Sequence, residues 1–235
     1  MSGSVVALFD FGGTLDADGV HWAPRFYDAY RAAGGATDQP RFEQIFKASD
    51  QALAQLPGVR SFGFLEMVNA QARLLHDLLP QDEAWKPARV AAQFHAEARA
   101  IVTRNRPVLE RLAERHRLGV VSNFTGNLEP CLVELDLRQY FSVVVDSAIV
   151  GVAKPDHRIF GAALAQLDAR PDRAWMVGDN FAADIQPAAA LGMRTCWLAP
   201  PQRQIPGGAE PTARIARLPE VEDVLRRSGA PVPRA

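Results

Sequence analysis

The architecture of this chain follows from a short stretch near its start, residues 5–15, which read VVALFDFGGTL. Residues 5–9 form an apolar run that begins with two β-branched side chains, as is typical of a strand buried on both faces of a parallel sheet. Asp10 and the glycines that follow Phe11 end the run, because these residue types are depleted in strands. We therefore predict a first strand that delivers Asp10 to one edge of a sheet.

The second half of the chain alternates between strand and helix patterns. The predicted strands are residues 118–122, 142–145, 174–177 and 195–198, and the predicted helices are residues 108–116, 128–135, 159–167, a segment ending at Leu191, and 220–227. Alternation of this kind builds βαβ units, so we predict an α/β fold in which these strands and the first one share a parallel sheet. From Gly229 onward, the Pro-containing tail is expected to fray.

A block of helical periodicity, residues 22–103, lies between the first two predicted strands. Breaks at residues 34–35 and 57–58 and at Pro80 divide it into a small bundle of about four helices. Because the chain leaves the sheet after one strand and returns to it after these helices, we predict two domains. Residues 1–18 and 104–235 form the α/β core, and residues 19–103 form an inserted all-helical domain.

The composition excludes several classes of function. Lys and Arg number 26 against 27 Asp and Glu, a formal net charge of −1, so we expect no nucleic-acid or anionic-membrane partner. No run reaches the roughly 18 apolar residues of a membrane span, and no signal-peptide pattern is present, so we expect a cytoplasmic protein. Cys131 and Cys196 match no metal or disulfide spacing and are interpreted as buried thiols. The preference for Arg over Lys is typical of a GC-rich bacterial coding sequence.

Carboxylates follow two of the predicted strands, at the edge where open parallel sheets bind ligands. Asp10 follows the first strand, Asp179 follows the strand at residues 174–177, and Asp184 lies five residues further on. Asp10 and Asp179 would repel each other if close, and a hard cation with oxygen ligands relieves that repulsion. These acids therefore predict a metal site, with Mg²⁺ as the best-fitting ion.

A hydroxyl and a lysine are expected at the same edge. Ser122 ends the strand at residues 118–122, and Lys154 precedes the helix at residues 159–167. Lys154 supplies a positive charge that keeps a carboxylate nucleophile ionised and counters phosphate charge. The Ser122 hydroxyl and the backbone amides of residues 123–126 are predicted to form an anion cradle. Together these groups favour phosphoryl chemistry.

In their order and placement, these segments resemble the motifs of the haloacid dehalogenase-like (HAD) hydrolase superfamily. The matching segments are Asp10-Phe11-Gly12-Gly13-Thr14-Leu15, Val121-Ser122-Asn123, Lys154-Pro155 and Gly178-Asp179-Asn180-Phe181-Ala182-Ala183-Asp184. The resemblance covers nearly the whole chain. It implies a Rossmann-like parallel sheet core and identifies the helical block as an α-helical cap that closes over the site.

The resemblance also implies a role for each motif residue. Asp10 is the nucleophile that forms an aspartyl intermediate, and Lys154 is its catalytic partner. Ser122, Asn123 and Thr14 are assigned to substrate binding. The implied Mg²⁺ ligands are Asp10, the Gly12 main-chain carbonyl, Asp179 and Asp184.

One position departs from the family pattern. Phosphatases of the family usually carry a second Asp where this chain has Gly12, and that acid protonates the leaving alcohol. General acid–base steps of this kind contribute about 10²- to 10⁴-fold in rate. Asp16, Asp18 and His21 lie downstream and are interpreted as linker residues. Gly12→Asp is expected to raise turnover on simple phosphate esters.

Three functions are compatible with these residues. The favoured one is a Mg²⁺-dependent phosphatase that acts on a small phosphorylated metabolite. The second is C–P or C–halogen hydrolysis, by analogy with phosphonoacetaldehyde hydrolases, which need a cap lysine such as Lys47 or Lys86, or with metal-independent dehalogenases. The third is a degenerate phosphate- or partner-binding module. His21, Trp22 and Arg60 are candidate cap residues for substrate contact, and the sequence leaves the oligomeric state open.

Overall fold

The computed structural model describes residues 5–80, 84–207 and 210–228. Within these ranges lie six strands: β1 (Val6–Phe9), β2 (Arg117–Ser122), β3 (Val143–Asp146), β4 (Ala174–Gly178), β5 (Arg194–Leu198) and β6 (Ala213–Ile215). They form one sheet in the order β3-β2-β1-β4-β5-β6, and every neighbouring pair is parallel. The fold is a Rossmann-like α/β sheet, as predicted.

Four long helices lie between β1 and β2 in the described chain. They are α1 (Trp22–Ala32), α2 (Gln39–Leu53), α3 (Phe64–Leu78) and α4 (Pro87–Ala113). The helices that follow are α5 (Leu128–Glu134), α6 (Ser147–Val150), α7 (His157–Gln166), α8 (Gln186–Ala190) and α9 (Val221–Ser228). A π-helical turn, Phe181–Ile185, immediately precedes α8. We refer to residues 21–103, which begin with His21 at the N-cap of α1, as the helical insertion.

Strand β1 lies in the middle of the sheet, between β2 and β4. All its residues are buried, which explains why it reads as an uninterrupted apolar run. Ala7 and Phe9 belong to the large apolar cluster that includes α4 and α5, whereas Val6 and Leu8 belong to a second cluster with α7. Because side chains alternate along a strand, the two clusters cover opposite faces of the sheet.

The structure corrects two sequence-based expectations about elements. Helix α4 continues through Pro107, where the sequence predicts a break. Pro107 is exposed, so its ring removes one backbone hydrogen bond without disturbing a packed face. Strand β6 was not predicted, because it has three residues and includes Arg214 instead of an apolar run; it forms by pairing with β5.

The division into two domains and the fraying of the C-terminal tail remain predictions. Helix α4 runs through the predicted domain boundary at residues 103–104, so the insertion and the sheet share one continuous helix. The division of the chain into two domains stays a prediction. The tail from Gly229, expected to fray, lies outside the described residues.

The state of the two cysteines and the apolarity of the helices can be compared with the sequence-based expectations. Cys131 and Cys196 are buried free thiols, as predicted, and burial raises the pKa of the Cys196 thiol to about 12. Among the described residues, no helix combines the length and apolarity needed to cross a bilayer.

Aromatic side chains fill the interior of the helical insertion. Phe26 and Phe94 stack with 4.2 Å between ring centroids, and Trp22 packs edge-on against Phe94 at 5.3 Å. Pairs of this kind contribute about 0.5–1.5 kcal/mol each beyond the area that they bury. The packing fixes Trp22 at the start of α1, beside the loop that follows β1.

Asp16 joins that loop to the insertion. Its carboxylate is fully buried and accepts hydrogen bonds from the Gly13 backbone N–H at 2.7 Å and from the Trp22 indole N–H at 2.9 Å. It also forms an ion pair with the buried Arg25 guanidinium at 2.8 Å. The guanidinium in turn lies 4.3 Å from the centre of the Phe94 ring. Asp16 therefore holds α1 against the loop that carries Asp10.

We expect Asp16→Asn to lower the stability of the folded protein by about 3–5 kcal/mol, because it leaves the Arg25 charge buried without its partner. In a protein of this size, each kcal/mol corresponds to roughly 2–4 °C in Tm. Thermal melts measure the effect. The matched control is Asp18→Asn, because Asp18 pairs with Arg104 where the two side chains are 26% and 38% exposed. This exposed pair is worth less than about 1 kcal/mol. Equal losses of Tm in the two variants would contradict a stabilising role of Asp16 that exceeds that of an exposed ion pair.

Candidate active site

Asp10 lies at the carboxyl end of β1, held from both sides. Its backbone N–H donates to the Val177 carbonyl at 2.9 Å, which extends the pairing of β1 with β4 by one residue. Its carboxylate atom Oδ1 accepts hydrogen bonds from the Ser122 hydroxyl at 2.9 Å and from the Lys154 ammonium at 2.7 Å. The strand ends thus bring together the acid, the hydroxyl and the lysine that the sequence places on one edge.

Lys154 is buried and bridges two carboxylates. Its Nζ donates to Asp10 and, at 2.5 Å, to Asp184 Oδ1. Asn123 fixes the lysine backbone, because its side-chain oxygen accepts from the Lys154 N–H at 2.7 Å and its amide donates to the Lys154 carbonyl at 2.9 Å. The Asn123 side chain therefore positions Lys154, while the predicted contact of the Asn123 backbone amide with substrate stays a prediction.

Three carboxylates converge beside this lysine. Asp10, Asp179 and Asp184 each offer an oxygen within 4.8 Å of the others, and all three are buried. The π-helical turn carries Asp184 back toward the strand ends, where its Oδ2 accepts from the Asn180 N–H at 3.0 Å. Gly178 leaves room for it, since a Cβ there would lie 2.3 Å from Asp184 Oδ2.

Burial and mutual repulsion shift the acid–base properties of the cluster. Burial, with repulsion from Asp10, raises the pKa of Asp184 to about 6, although Lys154 opposes the shift. Burial and the neighbouring carboxylates also raise the pKa of Asp179 well above its ordinary value. Burial alone would lower the pKa of Lys154, but Asp10 and Asp184 outweigh it and raise that pKa. The lysine stays charged, and the acids are crowded.

Thr14 is placed differently from the sequence-based expectation. It is fully buried, and its hydroxyl donates to Asp179 Oδ1 at 3.2 Å. It does not belong to the described lining of the cavity discussed below. In this structure the Thr14 side chain contacts Asp179, and its assignment to substrate binding stays a prediction.

The predicted anion cradle is partly taken up by protein groups. The Phe124 N–H donates to the Ser147 hydroxyl at 3.0 Å, and the Gly126 N–H donates to Asp146 at 2.9 Å. Of residues 123–126, at most the amides of Asn123 and Thr125 are left for an anion. Asp146 and Ser147 follow each other at the end of β3, and only the pairing of β3 with β2 brings them beside this loop.

A cavity of about 350 Å³ lies between this edge of the sheet and the helical insertion. The sheet side includes Asp10, Ser122, Asn123, Lys154 and Asp184. The insertion contributes His21, Trp22, Phe46, Asp50, Gln51, Leu53 and Met67. The cavity therefore pairs the charged cluster with a wall that is mostly apolar.

Gly12 also borders the cavity, and an indole occupies the space beside it. A Cβ at this position would lie 3.1 Å from the Trp22 Nε1 atom. The backbone at Gly12 does not need the left-handed conformation, so the glycine is explained by the nearby ring and not by φ. The sequence predicts Trp22 near the substrate but gives no sign that it replaces a side chain at position 12.

The remaining candidate residues for substrate contact or Schiff-base chemistry differ in where they lie. His21 and Trp22 line the cavity, whereas Lys47 and Lys86 are exposed and do not belong to its described lining. Arg60 packs over Gly126, where a Cβ would lie 3.0 Å from its side chain.

Asp50 was missed by sequence reasoning, because an isolated acid on an amphipathic helix reads as part of a solvated face. It is accessible to solvent, yet it lies on the cavity wall. Its surroundings raise its pKa, because burial outweighs the attraction of His21.

Sequence comparisons with known proteins identify relatives of this chain. Pyrimidine 5'-nucleotidase YjjG of Escherichia coli K12 is 37% identical over 121 residues, which are 50% of this chain and 53% of that protein. Phosphoserine phosphatase of Thermus thermophilus is 36% identical over 115 residues, 47% of this chain and 46% of that protein. The matched segments thus span about half the length of these curated relatives.

A solved structure and a family model extend the comparison to most of the chain. The HAD-hydrolase YfnB from Bacillus subtilis superposes with a TM-score of 0.58 at 18% identity, covering 95% of this chain and 99% of that one. At this identity, the likeness concerns the fold alone. The family model of haloacid dehalogenase-like hydrolases matches residues 6–192. The chain therefore belongs to the haloacid dehalogenase-like hydrolase family.

Proposed function

We propose that this protein is a Mg²⁺-dependent phosphatase that hydrolyses a small phosphorylated metabolite through an aspartyl-phosphate on Asp10. One observation carries the proposal: Asp10 borders the cavity with its Oδ1 held by Ser122 and Lys154. Its Oδ2 receives none of the hydrogen bonds found among the described residues. A carboxylate fixed through one oxygen presents the other to an electrophile, as covalent catalysis requires.

The acid cluster fits a divalent cation. Asp10, Asp179 and Asp184 carry three negative charges when ionised, and Lys154 supplies one positive charge in contact with them. Two negative charges are left uncompensated in a buried site. Burial and repulsion between the carboxylates raise the pKa values of Asp179 and Asp184. Hard oxygen donors in this number suit Mg²⁺.

We assign the ion to Asp10, Asp179, Asp184 and the main-chain carbonyl of Gly12. Bound there, Mg²⁺ would neutralise charge on the transferring phosphoryl group and orient it. Thr14 keeps the Asp179 carboxylate in place through its hydroxyl. Asn180 does the same for Asp184 through its backbone N–H.

The protein groups opposite the acids suit a phosphate. In our proposal the Ser122 hydroxyl and the backbone amide of Asn123 bind the phosphoryl oxygens, and Lys154 keeps Asp10 ionised. The cavity of about 350 Å³ lies at the small end of the roughly 300–1,000 Å³ of ligand pockets, which supports a small metabolite. The names of the two curated relatives, a nucleotidase and a phosphatase, support a phosphate monoester.

The other functions have less support. A Schiff-base mechanism needs a lysine in the cavity, and both candidate lysines of the insertion are exposed away from its described lining. A metal-independent dehalogenase would have little use for the acid cluster. Free, buried thiols at Cys131 and Cys196 support the expectation of a cytoplasmic protein.

We expect Asp10→Asn to lower the hydrolysis of phosphate monoesters by at least about 10³-fold with the fold intact, because the amide keeps the shape of the side chain but is not a nucleophile. Phosphate release from a panel of esters, with Mg²⁺ and with chelator, measures the effect. Asp172→Asn on an exposed turn is the control. An Asp10→Asn protein that keeps more than a few per cent of activity, with deamidation excluded by mass spectrometry, would remove Asp10 from this role. Phosphate binding by the wild type without turnover would favour the binding module.

We expect Asp179→Asn to raise the Tm of the metal-free protein, because it removes one of three crowded carboxylates. Each kcal/mol of relieved repulsion corresponds to roughly 2–4 °C. The same variant should lose the increase in Tm that Mg²⁺ gives the wild type, since a bound ligand stabilises only the state that binds it. Calorimetric titration with Mg²⁺ provides the affinity. Unchanged Mg²⁺ affinity in the variant would place the metal elsewhere.

A further inference from the structure

We propose that Asp50, on helix α2, is the general acid and base of this site, in place of the acid that the chain lacks at Gly12. The inference rests on the proposed phosphatase function and deepens it. It follows from two features of the cavity: an indole fills the place beside Gly12, and the uncommitted acid in the cavity comes from the helical insertion.

The first feature disfavours an acid at the usual position. A Cβ at residue 12 would lie 3.1 Å from the Trp22 Nε1 atom, and the indole N–H donates to the buried Asp16 at 2.9 Å, which restrains the ring from moving away. Rings on several sides hold it, with centroids at 5.9 Å for both Phe64 and Phe124. The indole N–H is a donor only, and its proton is committed to Asp16, so Trp22 cannot perform the missing proton transfer.

The acids that follow the first motif are also committed elsewhere. Asp16 is fully buried and holds three donors, and it does not belong to the described lining of the cavity. Asp18 pairs with Arg104 at 2.7 Å. The linker therefore supplies no acid for a substrate, which agrees with the sequence-based interpretation of both residues.

The second feature is the small set of titratable side chains in the cavity. In the described lining of the cavity, the titratable side chains are Asp10, His21, Asp50, Lys154 and Asp184. Asp10, Lys154 and Asp184 form the hydrogen-bonded cluster assigned to the nucleophile and the metal. His21 and Asp50 remain, and both belong to the helical insertion, across the cavity from the cluster. In an in-line phosphoryl transfer the leaving oxygen departs on the side opposite the attacking Asp10 oxygen, so we expect its proton donor on the far wall of the cavity.

Asp50 suits both proton transfers better than His21. The cavity wall that includes Asp50 also includes the apolar side chains of Phe46, Leu53 and Met67. Partial burial raises the pKa of Asp50, although the side chain keeps contact with solvent, and the charge of His21 opposes the shift. An acid–base catalyst works best when its pKa lies near the operating pH, and this shift moves a carboxyl in that direction. His21 lies at the exposed start of α1, where it acts on the charge of Asp50.

The proposed reaction has two steps. In the first, an Asp10 oxygen forms a bond to phosphorus, the bond from phosphorus to the ester oxygen breaks, and the ester oxygen takes the proton of the Asp50 carboxyl to leave as an alcohol. In the second, the Asp50 carboxylate takes a proton from water as the water oxygen attacks phosphorus. The bond from phosphorus to Asp10 then breaks, releasing inorganic phosphate and restoring both aspartates.

Two substrates that differ in leaving group test the role. With p-nitrophenyl phosphate, the phenolate leaves without a proton, so kcat/KM in Asp50→Asn should stay near the wild-type value. With glycerol phosphate, the alkoxide needs the proton, and kcat/KM should fall by about 10²- to 10⁴-fold. Loss of the base should also slow the second step, so Asp50→Asn should release a burst of p-nitrophenolate equal to the enzyme concentration before a slow steady state.

Control variants separate this role from a structural one. Asp28→Asn makes the same chemical change on the exposed side of α1 and should match the wild type on both substrates. Asp50→Glu keeps a carboxyl and should recover part of the glycerol phosphate activity. Thermal melts of all variants verify folding.

Three results would overturn the inference. Equal loss on both substrates in Asp50→Asn would indicate a role in binding or folding. Selective loss in His21→Asn, with Asp50→Asn unaffected, would assign the proton transfer to His21. No hydrolysis of any phosphate ester by the wild type would overturn the proposed function and this inference with it; an active wild type with an unselective Asp50→Asn variant would overturn the inference alone.

Gly12→Asp tests the complementary half of the argument. The sequence predicts a gain in turnover, whereas the structure predicts strain, because a Cβ at position 12 would lie 3.1 Å from the Trp22 indole, which Asp16 restrains. We expect a lower Tm and a kcat/KM for glycerol phosphate no higher than in the wild type. A well-folded Gly12→Asp variant with increased kcat/KM would show that position 12 can accept the acid and that Asp50 is not needed.

Discussion

The site depends on one electrostatic constraint: three buried carboxylates must lie side by side at the ends of parallel strands, with one ammonium among them. Lys154 satisfies part of the constraint by contacting Asp10 and Asp184 together. Several local features exist to permit this crowding. Gly178 makes space for Asp184, and Asn123 holds the lysine backbone at the required distance. A buried charge cluster of this kind is costly for folding, so its presence points to a ligand of opposite charge.

A second buried charge connects the cluster to the helices above it. Asp16 accepts from the loop backbone, from the Trp22 indole and from the Arg25 guanidinium. The loop after β1 and the first helix of the insertion are consequently fixed as one unit. This arrangement places an aromatic wall beside Gly12. The loop after β1 has Gly12 and a neighbouring indole where an acid would be expected, and Asp50, an acid of the cavity wall, lies on α2.

The two sides of the cavity differ in chemical character. The sheet side is charged and made rigid by hydrogen bonds between residues far apart in sequence, such as Ser122 with Asp10. The insertion side is mostly apolar and includes Asp50 and His21 among Phe46, Leu53 and Met67. Such a division suits a substrate with an anionic group at one end and a small, partly apolar leaving group at the other.

The sequence by itself determined the parallel sheet, the inserted helices and the meeting of Asp10, Ser122, Lys154, Asp179 and Asp184. It could do so because period-two and period-3.6 patterns are local, and because parallel strands place the residues that follow them at a common edge. Only the tertiary structure decided what Thr14 and Asn123 contact and which backbone amides donate hydrogen bonds to Asp146 and Ser147. It also decided that the Trp22 indole lies beside Gly12. These outcomes depend on contacts between distant segments, whose geometry no local pattern contains. The same reason applies to Asp50, whose surroundings become apparent only when α2 packs over the end of the sheet.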